Sequence, residues 1–317
     1  THAHVERLIF DGHRAVAIDF QHKDRLSRVH TNGEIILAAG AIGSPQILEL
    51  SGIGSGDVLK RAGIDVFLEM PGVGENLQDH LQIRSIFRIK NARTLNEMQS
   101  TLWGRMKIAA QYAFLQSGPM SMAPSQLGVF TRSHSRYSEP NIEYHVQPLS
   151  LDSFGKPLHR FPALTLSVCN LRPQSRGHVH ITEPDPHAPP RISPNYLTAE
   201  EDRDVAVTAL RHIRKLMQTR RMREFEPEEM LPGASIQSDE ELVRAAGNIA
   251  TTIFHPVGTA KMGQDRNAVV GHTLKVHGLE GLRVVDASIM PTIVSGNTHA
   301  PVVMIAEKAA EMIRKNL

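Results

Sequence analysis

Two short apolar segments, one near each end of the chain, most constrain what this sequence can fold into. EIILAAG, residues 34–40, ends in glycine, and the apolar part of GLRVVDAS, residues 281–288, ends at an aspartate. Continuous apolar runs of this kind are typical of strands buried on both faces. A candidate helix follows each: one starts at Ser44 and Pro45, and the other covers residues 301–316. The two ends therefore predict α/β structure.

The middle of the chain has a different residue pattern from the two ends. NIEYHVQPL and ALTLSVCNL are strand-like, and the proline-rich stretch that follows them favours loops and edge strands. Residues 199–221 predict a long amphipathic helix, with acidic side chains in its first turn. We interpret this region as an inserted α+β domain with an antiparallel sheet. The predicted division is an α/β domain formed by residues 1–80 and 247–317, and the inserted domain at 81–246.

Composition excludes several classes of protein. The 317 residues are 41% hydrophobic with a formal net charge of +2, which is ordinary for a globular protein and does not favour nucleic acid as a partner. Cys169 is the only cysteine, so an intrachain disulfide and a cysteine metal cluster are both impossible. No apolar run reaches the roughly 18 residues of a membrane span. We expect a cytoplasmic protein, with peripheral membrane association as an alternative.

A histidine between glycines is the first candidate for chemistry. His255 lies in TTIFHPVGTAKMG, where Pro256 disfavours a helical backbone at His255. Gly258 and Gly263 permit close approach of the backbone to a bulky ligand. A loop histidine in such surroundings is a reasonable general base, and the alternative is a solvated loop histidine without a function.

A second candidate is SGNTHAP, residues 295–301, directly before the last predicted helix. Asn297 is suited to cap that helix, a frequent role of asparagine. The alternative is functional, because the free N–H groups at a helix N terminus stabilise an anion. Judged locally, His299 looks like the better catalyst of the two.

The other motifs do not indicate a metal site, a phosphate-binding loop or a serine hydrolase. His178 and His180 share one face of a strand, but no third ligand has motif spacing, so no metal site is predicted. GIGSGD and GVGENL each begin G-x-G without completing G-x-G-x-x-G. The chain also contains no Walker A sequence and no G-x-S-x-G, so neither a phosphate-binding loop nor a serine hydrolase is indicated.

Together, several segments resemble the glucose–methanol–choline (GMC) flavin oxidoreductases. GAIGSPQILELSGIG is similar to the family's second signature, FHPVGTAKMG to its active-site histidine segment, and PGVGENLQDH is also family-like. GLRVVDASIMPTIVSGNTHAPVVMIAEKAAEMI resembles the family's C-terminal segment nearly throughout. The resemblance runs from near Val5 to Leu317, is weakest in the middle, and is greatest to the choline dehydrogenase-like alcohol dehydrogenase branch. It implies a doubly wound α/β domain that binds FAD and an α+β substrate domain with an antiparallel sheet.

The resemblance also implies roles for individual residues. His255 becomes the catalytic histidine, near the substrate hydroxyl and flavin N5, and Asn297 fills the second catalytic position. The remaining contacts would be to FAD: the backbone of Val5 at the adenine, Asp286 and Ala287 along the ribityl and phosphate portion, and the backbone N–H groups of Thr298 and His299 at the pyrimidine edge of the flavin.

The sequence departs from the family at two positions. Relatives usually carry cysteine where Ala260 stands and asparagine where His299 stands. We expect the first change to be conservative packing. The second adds an imidazole beside the site, which is expected to alter the local pKa or the shape of the pocket.

The implied reaction is FAD-dependent oxidation of a small-molecule alcohol to an aldehyde or ketone, with oxygen or another electron acceptor. One alternative is a hydroxynitrile-lyase-like FAD protein without net redox chemistry. Another is an inactive fragment, because family members carry G-x-G-x-x-G near the N terminus and this chain does not. The chain thus resembles the C-terminal portion of a complete enzyme. On this interpretation a missing N-terminal FAD-binding segment is a required partner, lost by truncation, removed by cleavage or supplied by a separate chain.

Overall fold

The computed structural model describes residues 1–123, 125–153 and 155–315. The helices are α1 (Gly40–Leu50), α2 (Gly56–Arg61), α3 (Leu95–Met98), α4 (Leu102–Leu115), α5 (Glu200–Met217), α6 (Arg220–Arg223), α7 (Asp239–Ile249) and α8 (His299–Arg314). The strands are β1 (Ala3–Asp11), β2 (Arg14–His22), β3 (Arg25–His30), β4 (Ile35–Leu37), β5 (Ile53–Gly54), β6 (Leu68–Glu69), β7 (Leu81–Arg88), β8 (Leu127–Thr131), β9 (Ile142–Gln147), β10 (Ala163–Asn170), β11 (His178–His180), β12 (Arg191–Ser193), β13 (Glu228–Leu231), β14 (Ala250–Thr252) and β15 (Leu282–Val284).

The chain divides into two compact units. Unit 1 contains Thr1–Asp79, Ser175–Tyr196 and the chain from Phe254 onward, and unit 2 contains His80–Gln174 and Leu197–Ile253. Within the described residues, no helix is long and apolar enough to cross a membrane.

The N-terminal part of unit 1 is an antiparallel meander of β1, β2 and β3. The turn between β1 and β2 contains Gly12 with φ +55°, a left-handed conformation that glycine adopts without strain. The residue pair Asp11-Gly12 is a turn signal in the sequence, and the chain reverses there between β1 and β2. Val5 lies opposite Phe20 in this pairing.

The two apolar segments at the ends of the chain pair with each other. β4 and β15 are parallel, with Ile35 opposite Leu282 and Leu37 opposite Val284. Both predicted strands are confirmed, although each is only three residues long. Arg283 also lies in this pair with 1% exposure, and its guanidinium donates to Glu34 at 2.7 Å. A buried guanidinium requires such a carboxylate partner, so this ion pair satisfies the one charged side chain in an otherwise apolar strand.

The predicted start of α1 at Ser44 and Pro45 is wrong, because the helix begins at Gly40 and contains Pro45. Proline lacks an N–H and leaves the carbonyl four residues earlier without its helical donor. That carbonyl, Ala41 O, accepts instead from Thr259 Oγ1 at 2.6 Å. Ser44 uses its hydroxyl to bind Asp286 rather than to cap a helix. Tertiary contacts thus allow the helix to continue through a residue that normally starts one.

Residues 175–196 group with unit 1, although the sequence places them in the inserted domain. Backbone hydrogen bonds account for this. Val179 N donates to Gly74 O at 2.7 Å, and Gly177 exchanges two bonds of 2.9 Å with Leu77. The side chain of His180 also binds α1, through the carboxylate of Glu49.

Unit 2 is built on an antiparallel sheet of order β13-β7-β10-β9-β8, with β14 also paired to β7. This confirms the antiparallel sheet that was predicted for the middle of the chain. Helices α5 and α7 pack on one face of the sheet, over apolar side chains that include Ile83, Tyr144 and Val168. Strand alternation places Glu143 and His145 on the opposite face, which we call the polar face. Its other members are Gln82 and Arg84 on β7, Gln147 on β9, and Thr165, Ser167 and Cys169 on β10.

The long helix predicted over residues 199–221 is divided in the structure. α5 ends at Met217, and α6 begins after Thr219, whose backbone is extended at φ −66° and ψ 154°. The buried positions of α5 include Val205, Leu210 and Ile213, so the helix is amphipathic as predicted.

Candidate active site

The structure brings His255 and Asn297 together in unit 1, although they are 42 residues apart in the chain. Asn297 Nδ2 lies 3.4 Å from His255 Nε2. The imidazole is half-buried and the amide is exposed. A separation at the long end of the hydrogen-bonding range leaves both polar groups able to contact a third group, such as a hydroxyl. A base and a hydrogen-bond donor that share one reacting atom require such an arrangement.

Asp79 holds the backbone of the His255 loop in place. Its Oδ1 accepts from His255 N at 2.9 Å, and its Oδ2 accepts from the Tyr196 hydroxyl. Phe254, directly before His255, has φ +64° and is 70% exposed. A large side chain rarely occupies this left-handed region, and such conformations persist only where the surroundings enforce them. Sequence reasoning missed Asp79, although it lies in the family-like segment PGVGENLQDH.

Two amide side chains join the His255 loop to the segment that leads to Asn297. Asn76 Nδ2 donates to Gly258 O at 3.1 Å and to Pro291 O at 3.3 Å. Gln78 Nε2 donates to Pro291 O at 3.1 Å, and Gln78 Oε1 accepts from Ile293 N at 3.2 Å. Gly258 has φ +94°, and a Cβ there would lie 2.6 Å from Asn76 O. Only glycine therefore permits this close approach to Asn76, whereas the approach of a bulky ligand to Gly258 stays a prediction.

The Asp286 carboxylate accepts several hydrogen bonds from other groups of the protein. It is 5% exposed and accepts from Gly40 N at 2.9 Å, Ser44 Oγ at 2.5 Å, and both N and Oγ of Ser288 at 2.8 and 2.5 Å. Hydrogen bonds of this number satisfy a buried carboxylate. Asp286 therefore orders the start of α1 and the turn that contains Ala287, and any effect on a ligand would act through those backbones.

The N terminus of α8 lies directly after Asn297. Thr298 is the residue before the first helical position, and within the described residues no side chain caps this end. The alternative in which Asn297 caps the helix is therefore wrong. Free N–H groups at the start of a 16-residue helix attract negative charge. This end accordingly fits the anionic edge of a reduced flavin, which is the group that the family resemblance implies here.

The predicted cofactor residues occupy different parts of unit 1. Thr298 and His299 start α8 directly after Asn297, with Thr298 buried and His299 exposed. Ala287 is joined to the His255 loop because Gly258 N donates to Ala287 O at 3.2 Å. Val5 is half-buried on β1, where it lies opposite Phe20 of β2. The adenine contact proposed for Val5 rests on the family resemblance alone.

His180 forms a separate charged group with two carboxylates. Its Nδ1 lies 2.6 Å from Glu49 Oε1 and its Nε2 lies 3.0 Å from Glu75 Oε1. Burial by itself would lower the pKa of His180, but the hydrogen bonds to both carboxylates raise it to about 9. Burial raises the pKa of Glu49, and its bonds from His180 and from Ile181 N partly offset this. His180 is therefore an imidazolium at neutral pH, with both nitrogens donating.

This group explains the histidine pair that the sequence singled out. The rings of His178 and His180 stack at 5.1 Å between centroids, so they do share one strand face. Burial and the nearby charge of His180 lower the pKa of His178. Sequence reasoning missed Glu49, because it stands in the apolar segment QILELSG, which is otherwise a core-facing helix.

Comparison with known proteins identifies the class to which this fold and site belong. Residues 1–82 match the N-terminal family model of the GMC oxidoreductases, and residues 173–306 match the C-terminal one. The chain belongs to the GMC oxidoreductase family. Members of this family are FAD-binding enzymes that act on alcohols, so the predicted family and its cofactor are confirmed at the level of the family.

Particular relatives give the extent of the match. The chain is 42% identical over 316 residues to an oxygen-dependent choline dehydrogenase of Escherichia coli, which covers 99% of this chain and 57% of that protein. Pyridoxine 4-oxidase from Mesorbium loti has a similar structure, with TM-score 0.83, 30% identity, and coverage of 98% of this chain and 57% of the other. A variant of Aspergillus oryzae RIB40 formate oxidase gives TM-score 0.91, 26% identity, and coverage of 99% and 60%. The chain thus spans little more than half the length of these proteins.

Proposed function

We propose that this chain carries the catalytic pair of an FAD-dependent alcohol oxidoreductase. The observation that carries the proposal is the approach of His255 Nε2 and Asn297 Nδ2 to 3.4 Å, directly before the uncapped start of α8. The parallel pair β4–β15 would belong to a doubly wound domain, completed by an N-terminal FAD-binding segment like that of complete family members.

His255 acts as the base in this mechanism. Asn297 Nδ2 is a donor only, so His255 Nε2 must accept, and a neutral ring that accepts at Nε2 carries its proton on Nδ1. This is the form that can remove the hydroxyl proton of an alcohol. A positioned base of this kind typically contributes a rate factor of about 10² to 10⁴. Asp79 keeps Nε2 in place through the His255 backbone.

Asn297 stabilises the negative charge that develops on the alcohol oxygen. When the proton moves to His255 Nε2, that oxygen lies between the imidazole and the Asn297 amide, which donates to it. A fixed donor at such a position is worth about 3 to 4 kcal/mol in related sites. FAD, when bound, supplies the acceptor for the hydride from the alcohol carbon. The first-turn N–H groups of α8 would stabilise the reduced ring.

Choline is the substrate to test first, because the curated relative at 42% identity is an oxygen-dependent choline dehydrogenase. Oxygen is the corresponding acceptor. The test uses this chain joined to the N-terminal FAD-binding segment of that relative, loaded with FAD and mixed anaerobically with choline. We expect the visible flavin absorption to bleach, because the alcohol carbon gives up a hydride.

The other outcomes of this test favour one of the two alternatives, a lyase-like protein or an inactive fragment. A fusion that binds FAD and stays oxidised with choline and with a panel of simple alcohols contradicts the proposed oxidation and supports the lyase-like alternative. Equilibration of the unfused chain with FAD tests the fragment alternative, for which we expect no binding by this chain alone.

A paired substitution tests the assignment within SGNTHAP. Asn297→Ala is expected to slow flavin reduction by about 10² to 10³, because it removes the donor to the developing alkoxide. His299→Asn should change the rate by less than about tenfold, since His299 is proposed to act mainly through its backbone. Single-turnover flavin reduction measures both, with the exposed His272→Asn as the control. A larger loss for His299→Asn than for Asn297→Ala would reverse the assignment.

A further inference from the structure

Three side chains that the catalytic proposal does not use meet on the polar face of the unit 2 sheet. Glu143 and His145 are alternate residues of β9, and Cys169 of β10 is paired with Glu143. One ligand atom from each, namely a carboxylate oxygen, an imidazole nitrogen and the thiol sulfur, lies within 4.8 Å of the other two. His145 Nε2 is 3.3 Å from Glu143 Oε1.

Two of these side chains are buried and the third is mostly buried, and the cluster contains polar atoms that lack a hydrogen-bond partner in the described part of the chain. Glu143 is 3% exposed and Cys169 is 1% exposed, while the His145 side chain is 12% exposed. Within the described residues, Glu143 Oε2 is a buried atom with no hydrogen-bond partner. A buried carboxylate oxygen without a partner is costly, and such atoms in a native fold call for a missing ion or water. The unpartnered oxygen therefore points to a ligand at this cluster.

We propose that Glu143, His145 and Cys169 bind a Zn²⁺ ion. A mixed set of sulfur, nitrogen and oxygen ligands is typical of zinc, whereas magnesium and calcium prefer oxygen alone. Zinc bonds of about 2.0 to 2.3 Å place tetrahedral ligand atoms about 3.5 Å apart. Atoms already within 4.8 Å reach this spacing by small side-chain rotations. Three protein ligands leave a fourth position for water.

The charges at the cluster are compatible with a divalent cation. A Cys169 thiolate and the Glu143 carboxylate together neutralise the ion, while His145 binds as the neutral ring. Arg84 also lies on the polar face, opposite Ser167, and burial lowers its pKa. Its positive charge opposes the cation but favours the thiolate form that binds it. Gln82, opposite Cys169, adds no charge. Binding releases the thiol proton, so affinity is expected to fall in acid.

Cobalt titration of the purified, reduced and metal-free chain tests this proposal without FAD. We expect one equivalent of Co²⁺ to produce a sulfur-to-cobalt charge-transfer absorption that added Zn²⁺ removes. Cys169→Ser should abolish this absorption, and Glu143→Gln should weaken cobalt binding by more than about tenfold. His159→Gln is the matched control, because His159 also contacts a carboxylate, Asp152 at 2.9 Å, but outside the cluster.

Two results would overturn the zinc site. One is the absence of the charge-transfer absorption in the unsubstituted chain, and the other is its persistence in Cys169→Ser. Circular dichroism during thermal unfolding shows whether the serine variant is folded. If it is not, Glu143→Gln, which keeps the shape of the side chain, decides the question: binding equal to that of the unsubstituted chain contradicts the proposal.

Discussion

His255→Ala is expected to slow alcohol-dependent flavin reduction by about 10² to 10⁴ in the FAD-loaded fusion protein. The reason is local, because the imidazole is the half-buried group whose Nε2 approaches the Asn297 amide at 3.4 Å. Without it, the hydroxyl proton must leave to water while the hydride departs. The backbone of residue 255 keeps its hydrogen bond to Asp79, so the loop and the fold should survive. Stopped-flow reduction at saturating alcohol measures the loss in the chemical step.

The control for this experiment is His272→Ala, which removes an exposed loop histidine in the same unit. It should reduce flavin at the unsubstituted rate. Thermal unfolding of both variants separates a catalytic effect from a folding effect. An unchanged reduction rate in folded His255→Ala would refute the assignment of His255 as the base.

Among the substitutions proposed for this chain, His180→Gln is expected to cause the largest loss of stability. We expect it to lower the free energy of unfolding by about 3 kcal/mol. The substitution leaves the fully buried Glu49 carboxylate without its cation and leaves Glu75 without its hydrogen bond. Removing one partner of a buried ion pair costs more than the pair itself contributes, because the remaining charge is still desolvated. Urea unfolding at neutral pH measures this loss, with His178→Gln as the matched control on the same strand.

The same group predicts how stability depends on pH. The pKa of His180 is raised from 6.5 to about 9 on folding, so its contribution is complete below about pH 6.5 and is lost as pH rises through 9. That shift corresponds to about 3 kcal/mol. The pKa of Glu49 is also raised on folding, so the contribution of Glu49 to stability also declines as pH rises. This decline begins near the pKa that Glu49 has in the unfolded chain. The pKa of Glu75 is lowered by its bond to His180, so its contribution is lost as pH falls.

The measurement is the free energy of unfolding at pH 6.5 and above pH 9. The unsubstituted chain and His178→Gln should lose stability over this interval, and His180→Gln should lose much less. Equal losses in His180→Gln and His178→Gln would show that His180 is not the titrating group.

Much of the local structure was predictable, because it depends on short-range patterns. The apolar runs at residues 34–40 and 281–288 contain strands, and the turn signal Asp11-Gly12 stands at the hairpin between β1 and β2. The α1 start was not predictable. Pro45 normally begins a helix, and only the hydroxyl of Thr259, over 200 residues away, satisfies the carbonyl that Pro45 leaves without a donor.

The candidate site shows the same division. His255 and Asn297 were identified from motifs that resemble a family, and the structure places their side chains together. Asp79 was not identified, since an aspartate in a polar loop carries no local sign that it will bind the backbone of residue 255. Glu49 was hidden for the opposite reason, because a charged residue in a short apolar helix gives no indication of its partner.

The sequence by itself determined which segments form strands and helices, which family the chain resembles, and which residue types are available for chemistry. These properties depend on neighbours within a few turns of chain. Only the tertiary structure decided that His180 is a cation with hydrogen bonds to two carboxylates, and that Asp286 orders nearby backbone. It also decided that Glu143 and Cys169 meet across two strands. Such contacts join residues that are distant in sequence. Hydrogen bonding and burial at those positions depend on the strand register and on the path of the chain, and no local sequence pattern specifies either of these.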